Sequence, residues 1–586
     1  MQHLRGIGVS AGIVVGKAYV VEDRGRGDVR RRRILADRAE AEVDRFRRAR
    51  RLSEQELREI YERAIAEMGE EAAKIFLFHV AALSDPSVTG PIEQKIRDEL
   101  VTADYAVWSV FSELAARLEQ GSGEMSAKAT DLKDLSARVL DHLVGAQRSA
   151  VATLDHPTVI VSRDLTPSQA ASFDTSRVLG FATDLGGSTS HTAIVARALG
   201  LPAVVGCRAL MSLVSDGDLI AVDGERGTVV VDPDDATLDE HRARLAEDQA
   251  RTRALAELSG LPPETRDGQR VELLGNIEFP DEVDRVLEAG GEGVGLYRTE
   301  FLYLTSELEP DESTQHAAYA RCVELLGGRT LTIRTMDLGA DKHTQALSEE
   351  PERNPFLGLR SIRYCLHNVG LFKTQLRAIL RASADGPVKI MFPLVTSVQE
   401  FRNAKHLLHD VMEDLQDEGV PFDRAVPVGM MVETPSAALM AGSFAREVDF
   451  FSVGTNDLVQ YALAVDRTNE RVASLYQPCH PAVVKLVRDV VRAGRRHGVP
   501  VSCCGEAAAE PGFAAVLLGL GVRTLSATAA NLPGLKRLVR GVSIQECERI
   551  AKRVVQFDSE HDAASFVRDR VRKLVPEAFE GRESVG

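Results

Sequence analysis

The sequence predicts a multidomain α/β protein in which a β-rich domain, split by an inserted α-helical domain, precedes a C-terminal (β/α)8 barrel. Two observations support this fold class. Strand patterning in the first twenty residues gives way over 30–143 to apolar residues that recur every three or four positions, as in amphipathic helices. Beyond residue 261, eight short strand-like runs alternate with helical stretches over roughly 300 residues, which is typical of a closed α/β barrel.

The composition agrees with several globular domains. The 586 residues are too many for one core, and 44% of them are hydrophobic and 27% charged. The net charge of −16 disfavours a nucleic acid or an anionic membrane as the main partner, because both require concentrated positive charge. No run of about 18 apolar residues and no secretion signal is found, so we expect a cytoplasmic protein without membrane insertion. The seven cysteines are expected to be reduced thiols.

In the N-terminal half, strand patterns lie on both sides of the helical stretch. They return at TVIVSRDL (158–165), VLGFATD (178–184) and LIAVDGERGTVVVDP (219–233). Strand pieces from both sides can share one core, which predicts a split domain with a helical insertion. The segment 234–258 is highly charged with sparse Leu and Ala, as expected for an exposed connecting helix. The predicted domains are 1–21 plus 145–232, the insertion 22–144, the linker helix 233–260, the barrel 261–575 and the tail 576–586.

Most barrel strands are predicted to end in a polar residue that could take part in chemistry. The runs are VELLGNI (271–277), GVGLYRTEF (293–301), TLTIRTMD (330–337), VKIMFPLV (388–395), VPVGMMVE (426–433), FFSVGTND (450–457), VPVSCCGE (499–506) and TLSAT (524–528). In such barrels the active site gathers at the carboxyl ends of the strands. A doubly wound open sheet is the alternative, but it would not need so many polar strand ends.

The segment TDLGGSTSHTAIVARALGLPAVVG (183–206) has the chemistry of a phosphate site. Gly186 and Gly187 permit a tight turn into a helix that starts near Ser190. His191 would then lie in the first helical turn, where free N–H groups and the helix dipole favour an anion. An isolated histidine at a helix start is more often a structural residue, but the glycines and hydroxyls before it favour the chemical interpretation.

Several segments together resemble the phosphoenolpyruvate-utilising enzymes. GGSTSHTAIVARALGLPAVVG is similar to the phosphohistidine signature of that family, and GEGVGLYRTEFLY (291–303) and FFSVGTNDLVQYALAVDRTN (450–469) to its second and third signatures. With SCCGE (502–506), these matches follow the family order. The insertion 22–144 resembles the carrier-binding domain of the enzyme I branch, which belongs to the bacterial sugar phosphotransferase system. The related synthases and dikinases would require an additional ATP-binding domain.

The resemblance implies a phosphoenolpyruvate-protein phosphotransferase. In such an enzyme His191, on a swivelling domain, takes the phosphoryl group of phosphoenolpyruvate and passes it to a histidine of the carrier HPr. It also implies Mg²⁺ as cofactor and a homodimer formed through the barrel. The residues that match are Arg298, Arg334, Arg360, Asn456, Asp457 and Arg467 for the substrate, Glu433 and Asp457 for the metal, and Cys504 as proton donor to the enolate.

The residue types fit these roles. Arginine binds both phosphate and carboxylate by paired hydrogen bonds, and Mg²⁺ takes few protein carboxylates, completing its shell with water and substrate oxygens. Taken singly, an arginine or carboxylate is more often part of a structural ion pair, and a cysteine a buried inert thiol, which we expect of Cys503. Two other functions remain open: a paralogue that feeds a regulatory phosphocarrier, and a non-catalytic phosphorelay scaffold.

Overall fold

Strands from both sides of the helical region form one eight-stranded sheet in this computed structural model. The chain divides into two units, Met1–Ala250 and Arg251–Gly586, and the sheet belongs to the first. Its order is β1-β8-β7-β3-β4-β5-β6-β2. The strands are β1 (Gln2–Arg5), β2 (Ile7–Ser10), β3 (Ile13–Val21), β4 (Thr158–Ser162), β5 (Val178–Thr183), β6 (Ala203–Val205), β7 (Leu219–Asp223) and β8 (Thr228–Val231).

The structure describes most of the chain. The described residues are 1–10, 12–21, 29, 31–68, 79–80, 82–119, 124–144, 156–165, 177–187, 193, 196, 201–304, 309–338, 354–467, 469 and 471–579.

The central strand β4 shows why this sheet has a hydrophobic sequence. All five of its residues are buried, because the sheet is covered on both faces. Ile160 packs in a cluster on one face, whereas Val159 and Val161 pack in a cluster on the other, as the two-residue repeat of a strand requires. β4 is parallel to its neighbours β3 and β5, and β3 is antiparallel to β7.

The region between β3 and β4 is helical and has its own core. Its helices are α1 (Ala39–Met68), α2 (Pro86–Glu99), α3 (Ala103–Glu119) and α4 (Glu124–Val144). Apolar residues at helical spacing on α1, among them Val43, Phe46, Leu57 and Ile60, are buried in one cluster with residues of the other three helices. The charged helix α5 (Asp235–Ala256) contains the boundary between the two units.

The second unit is a closed barrel of eight parallel strands. They are β9 (Glu272–Ile277), β10 (Val294–Arg298), β11 (Leu331–Arg334), β12 (Val388–Phe392), β13 (Val428–Val432), β14 (Phe451–Val453), β15 (Val501–Cys503) and β16 (Thr524–Ala527). The barrel closes by pairing of β16 with β9. The predicted fold class, a split β-rich domain with a helical insertion followed by a (β/α)8 barrel, is therefore confirmed.

Helices follow the barrel strands and cover them. They are α6 (Glu282–Glu288), α7 (Glu300–Leu304), α8 (Glu312–Leu326), α9 (Ser361–His367), α10 (Val369–Ala382), α11 (Val398–Asp417), α12 (Pro435–Leu439), α13 (Ala441–Phe444), α14 (Thr455–Leu463), α15 (Pro481–His497), α16 (Pro511–Leu520), α17 (Leu532–Gly541), α18 (Ile544–Val554) and α19 (Glu560–Leu574). Across the described ranges, no helix combines the length and the apolarity needed to cross a bilayer.

The barrel has two apolar compartments. A large cluster fills the space between the strands and the surrounding helices, and a small one is formed by Leu296, Met391, Met431, Phe450 and Cys504. Adjacent cysteines belong to different compartments: Cys503 is in the large cluster and Cys504 in the small one. The two side chains point to opposite faces because successive residues alternate along a strand.

Candidate active site

Polar and charged side chains meet at the carboxyl ends of the barrel strands. Arg298 and Arg334 are the last residues of β10 and β11, and Glu433 directly follows β13. Asp457 lies in the first turn of α14, after β14, and Cys504 directly follows β15. Because parallel strands of a barrel end on the same face, residues distant in sequence are neighbours here.

Arg334 is the centre of a buried network of charges. Its guanidinium contacts a Glu300 carboxylate oxygen at 3.0 Å and an Asp337 carboxylate oxygen at 2.9 Å. The other Asp337 oxygen lies 2.9 Å from Arg360 and accepts a hydrogen bond from Ser361. Asp337 thus holds two arginines close together, a repulsive arrangement without the carboxylate between them.

Burial and charge act against each other at these groups. Burial by itself would lower the pKa of Arg334, but Glu300, Asp337 and Glu433 raise it above its ordinary value. For Asp337, burial raises the pKa, whereas Arg334 and Arg360 lower it and prevail. Arg334, Asp337 and Arg360 therefore remain charged at neutral pH.

Glu433 and Asp457 are two buried acids at this end of the barrel. They are 2% and 7% exposed, and neither forms an ion pair with a basic side chain in the part of the chain that the structure describes. One Glu433 oxygen accepts the N–H of Leu394 at 2.8 Å. Burial, Asp457 and Asp337 raise the pKa of Glu433 to about 8, and burial and Asp337 raise the pKa of Asp457.

This donor set fits a divalent cation. Two buried carboxylates without basic partners are costly unless they are protonated or coordinate a metal. Among the described residues no group of three or more His, Cys, Asp or Glu side chains is arranged around a metal position. Glu433 and Asp457 would therefore be joined by water and substrate oxygens, as Mg²⁺ prefers.

Two glycines allow the strand ends to approach each other. A Cβ on Gly454 would lie 2.6 Å from a Glu433 carboxylate oxygen, and one on Gly505 would lie 1.8 Å from Oγ1 of Thr455. Gly454 directly follows β14 and lies two residues before Asn456, and Gly505 directly follows Cys504 after β15. The close approach at Gly454 fixes where the Glu433 carboxylate can lie.

Cys504 is fully enclosed at the base of the site. Its side chain is 1% exposed, its sulfur accepts a hydrogen bond from the Ser452 hydroxyl at 3.2 Å, and its carbonyl accepts one from Asn276 at 2.9 Å. Burial raises the pKa of the Cys504 thiol to about 11, although the Ser452 hydrogen bond lowers it. The thiol is thus protonated at neutral pH.

Arg298, Asn456 and Arg467 form the more exposed part of the site. Arg298 contacts Glu278 at 2.7 Å. Asn456 exchanges two hydrogen bonds with Glu506, of 3.0 Å and 2.9 Å, and Arg467 lies 3.4 Å from the same carboxylate. These three side chains point towards acids that an anionic ligand could replace.

The sequence predicts eight site residues in the barrel, and the structure describes all eight. Glu433, Asp457 and Cys504 share electrostatic contacts with the arginines. His191 lies outside the described residues. No role is predicted from the sequence for Asn276, Glu300, Asp337 and Ser452. Two of them could have been found by their position, because Asp337 ends a predicted strand run and Glu300 lies in the segment 291–303 that resembles a family signature.

Comparisons with known proteins agree along the chain. Family models match with the descriptions "PEP-utilising enzyme, N-terminal" at 5–128, "PEP-utilising enzyme, mobile domain" at 154–227 and "PEP-utilising enzyme, PEP-binding domain" at 252–544. A phosphoenolpyruvate-protein phosphotransferase of Bacillus subtilis (strain 168) is 41% identical over 97% of this chain and 100% of its own length. The protein of that name from Geobacillus stearothermophilus is 41% identical over 96% of this chain and 97% of its own length.

A solved structure described as "NMR solution structure of Enzyme I (nEIt) protein using two 4D-spectra" is 38% identical. The match covers 42% of this chain and 99% of the solved chain. Its TM-score of 0.37 is too low to support an argument about the fold. The sequence matches suffice: the chain belongs to the family of phosphoenolpyruvate-utilising enzymes. It is similar over nearly its whole length to phosphotransferases and is an enzyme of that transferase class.

Proposed function

We propose that the enzyme transfers the phosphoryl group of phosphoenolpyruvate to its own His191 and then to a histidine of HPr, which starts sugar uptake by the phosphotransferase system. The observation that carries the proposal is the barrel mouth, where Asp337 holds Arg334 and Arg360 together. Two further buried acids at this mouth, Glu433 and Asp457, form no ion pair with any basic side chain that the structure describes. Phosphoenolpyruvate has both a phosphate and a carboxylate, and such a site can bind both anions.

In this proposal Arg298, Arg334, Arg360, Asn456 and Arg467 bind and orient the substrate. Glu433 and Asp457 would hold Mg²⁺, which would supply positive charge that stabilises the phosphoryl group. Asp337 keeps Arg334 and Arg360 side by side, each 2.9 Å from its carboxylate. The arginines then neutralise charge on the phosphoryl group during in-line transfer.

The bonds change in a balanced way. A nitrogen of neutral His191 forms a bond to phosphorus while the bond from phosphorus to the enol oxygen breaks, and its electron pair stays on that oxygen. The enolate carbon then takes the proton of the Cys504 thiol, which gives pyruvate. Cys504 fits this role because its buried thiol keeps its proton at neutral pH. Solvent or a neighbouring group later restores the thiol proton.

The direct test is labelling of His191. Phosphoenolpyruvate with Mg²⁺ should add one acid-labile phosphate per chain, and His191→Ala should abolish the label while the thermal unfolding of both units is unchanged. Undiminished labelling of the variant would refute the proposal. A wild-type chain that takes up no phosphate from phosphoenolpyruvate would favour the non-catalytic phosphorelay scaffold. If the chain is labelled, mass measurement of HPr and a regulatory carrier offered together would separate the sugar-system enzyme from the regulatory paralogue.

The proposed partner HPr would dock on the helical region. The acidic pair Glu70 and Glu71, a candidate for contact with a basic carrier, lies outside the described residues. Reversing both to Lys should slow transfer to HPr and change its salt dependence, whereas self-phosphorylation persists. An unchanged transfer rate would place the docking surface elsewhere.

We also propose a cytoplasmic homodimer that associates through the barrel unit. This unit exposes large apolar side chains, with Leu357, Leu439 and Leu475 each more than half exposed, and apolar surface of this kind is often covered in an assembly. Sedimentation of the second unit alone should show a dimer. A monomer at every concentration tested would contradict this part of the proposal.

A further inference from the structure

Two fully buried polar residues next to the candidate site have no part in the proposed chemistry. Thr299 follows Arg298 at the end of β10, and Gln375 lies in the middle of α10; both side chains are 0% exposed. The other buried residues of α10 are apolar, such as Phe372 and Ile379. A buried amide on an apolar helix face is costly unless all its hydrogen bonds are made.

Both residues bind the backbone of the segment that carries Arg334. The Thr299 hydroxyl donates to the carbonyl oxygen of Arg334 at 3.0 Å, and the amide oxygen of Gln375 accepts the N–H of Met336 at 3.0 Å. The Gln375 amide nitrogen donates to the Thr299 hydroxyl at 3.1 Å. The two side chains therefore hold the peptide groups on either side of Thr335.

The hydrogen bonds continue from Gln375 away from the site, and they determine how its amide group is oriented. The Gln375 amide nitrogen also donates to the Tyr319 hydroxyl at 3.3 Å, and that hydroxyl donates to the amide oxygen of Gln315 at 3.2 Å. The Gln315 amide nitrogen donates to the carbonyl oxygen of Pro310 at 2.9 Å. In both glutamines the amide oxygen accepts and the amide nitrogen donates. If the Gln375 amide were flipped, its nitrogen, a donor, would face the N–H of Met336, which is also a donor. A fully satisfied buried network of this kind is rigid.

We propose that Thr299 and Gln375 are positioning residues for phosphoenolpyruvate binding, because they hold the backbone of 334–336 and so aim the Arg334 guanidinium at the substrate. The inference rests on the proposed role of Arg334 as a substrate contact. Displacement of a binding group by about 1 Å can reduce a rate by roughly 10²-fold. Side-chain contacts to Glu300 and Asp337 fix the tip of Arg334, and Thr299 and Gln375 fix its base.

The test compares variants that remove a hydrogen-bonding group but keep the shape. Thr299→Val and Gln375→Met should each raise the KM for phosphoenolpyruvate by about tenfold, which corresponds to ~1.4 kcal/mol. Thr299→Ser keeps the hydroxyl and should restore the KM. The double variant should be hardly worse than either single one, because both residues act through the same backbone segment.

The matched control is Ser383→Ala at the end of the same helix. Ser383 is 4% exposed and hydrogen-bonds the Leu380 carbonyl and the Asp423 N–H. Its loss should destabilise the barrel without changing KM. The final labelled fraction of chains counts the active molecules, so a merely structural role would lower this fraction in all variants and leave KM unchanged.

A comparison with Arg334→Lys separates the positioning role of Thr299 and Gln375 from the proposed function. If Arg334→Lys raises KM but Thr299→Val and Gln375→Met do not, the positioning role is wrong and the proposed function stands. If Arg334→Lys leaves KM unchanged, Arg334 is not a substrate contact and both assignments fall. A raised KM in all three variants, restored by Thr299→Ser and unaffected by Ser383→Ala, supports both.

Discussion

Cys504 lies in the small apolar compartment inside the barrel, where its sulfur accepts a hydrogen bond from Ser452. Burial raises the pKa of its thiol to about 11. At pH 7.5 the thiol is therefore almost entirely protonated. This state suits a proton donor better than a nucleophile, which requires the thiolate.

Cys504→Ser separates the two chemical steps. A hydroxyl is a much weaker acid, so stereoselective protonation of the enolate should fall by about 10²-fold or more, while phosphoryl transfer to His191 in a single turnover persists. The measurement uses phosphoenolpyruvate labelled at C3 in deuterated water and analyses the chirality of the pyruvate methyl group. A serine variant as selective as the wild type would show that Cys504 is not the donor, and Cys503→Ser is the matched control.

The raised pKa of Glu433 predicts that the stability of the folded protein depends on pH. Its pKa rises from 4.5 to about 8 in the folded chain. Between these values the folded state keeps a proton that the unfolded state has lost, so the stability contributed by Glu433 falls as the pH rises through this window. A divalent cation competes with that proton, so Mg²⁺ should bind more tightly as the pH approaches 8 and then level off.

The corresponding measurement is thermal unfolding from pH 6 to 8, with a chelator and with Mg²⁺. Without metal, the wild type should lose stability relative to Glu433→Gln, which carries no ionisable group there. With Mg²⁺ the wild type should recover, and Glu433→Gln should respond weakly and transfer phosphate poorly. Parallel pH curves for the two proteins would show that Glu433 does not hold this proton.

At the scale of strands and turns, Gly454, the residue after β14, leaves no room for a side chain beside the Glu433 carboxylate. In Gly454→Ala the added Cβ would lie 2.6 Å from a Glu433 carboxylate oxygen, so the carboxylate must move. We expect phosphotransfer to fall by about 10²-fold, as for a displaced catalytic group, with a modest loss of stability.

Gly534→Ala in α17 is the control for Gly454→Ala. A Cβ at Gly534 would have no described atom within 4 Å apart from the neighbouring residues and backbone of its own helix, and alanine favours a helix. Steady-state kinetics with varied Mg²⁺ would measure both variants. If Gly454→Ala keeps the Mg²⁺ dependence of the wild type, the Glu433 carboxylate does not have to lie where the structure has it.

Each predicted strand run contains a barrel strand, but the strands are shorter than the runs. The run 450–457 contains only Phe451–Val453 as strand, because Gly454 turns the chain and α14 begins at Thr455. The apolar half of each run is predictable since parallel strands are buried on both faces. In the run 450–457, the polar half belongs to the turn and helix that follow the strand.

The sequence predicted which charged residues lie at the strand ends, but it did not predict the contacts that depend on closure of the barrel. Arginines and acids at strand ends could be named from the sequence. The ion pair of Glu300 with Arg334 and the hydrogen bonds of Gln375 could not, because these residues come from different β/α repeats. Without knowing which strands are neighbours, a glutamine on an amphipathic helix gives no signal of its own.

For the whole molecule, we expect the two units to unfold separately and only one to respond to substrate. The second unit has its own closed barrel and core. Calorimetry of the full chain should show two transitions, and phosphoenolpyruvate with Mg²⁺ at about 100 times its Kd should stabilise the barrel by ~2.7 kcal/mol.

A chain of residues 251–586 provides the comparison. It should show the same ligand-induced shift in unfolding temperature but take up no phosphate, because it lacks His191. Arg334→Lys in this shorter chain should remove most of the shift. A ligand effect of equal size on both transitions of the full chain would contradict separate unfolding.

The parallel pairing of β3 with β4 has a consequence for how such a chain can change over time. Their register, Lys17 opposite Thr158 and Val21 opposite Ser162, makes everything from residue 22 to 157 a single crossover between neighbouring strands. A crossover needs only a dozen or more residues. The helices within it have a core of their own, which shares no residue with the clusters on the two faces of the sheet. A lineage could therefore lengthen, trim or replace this crossover, and with it the surface that it presents, without breaking one strand pair of the sheet.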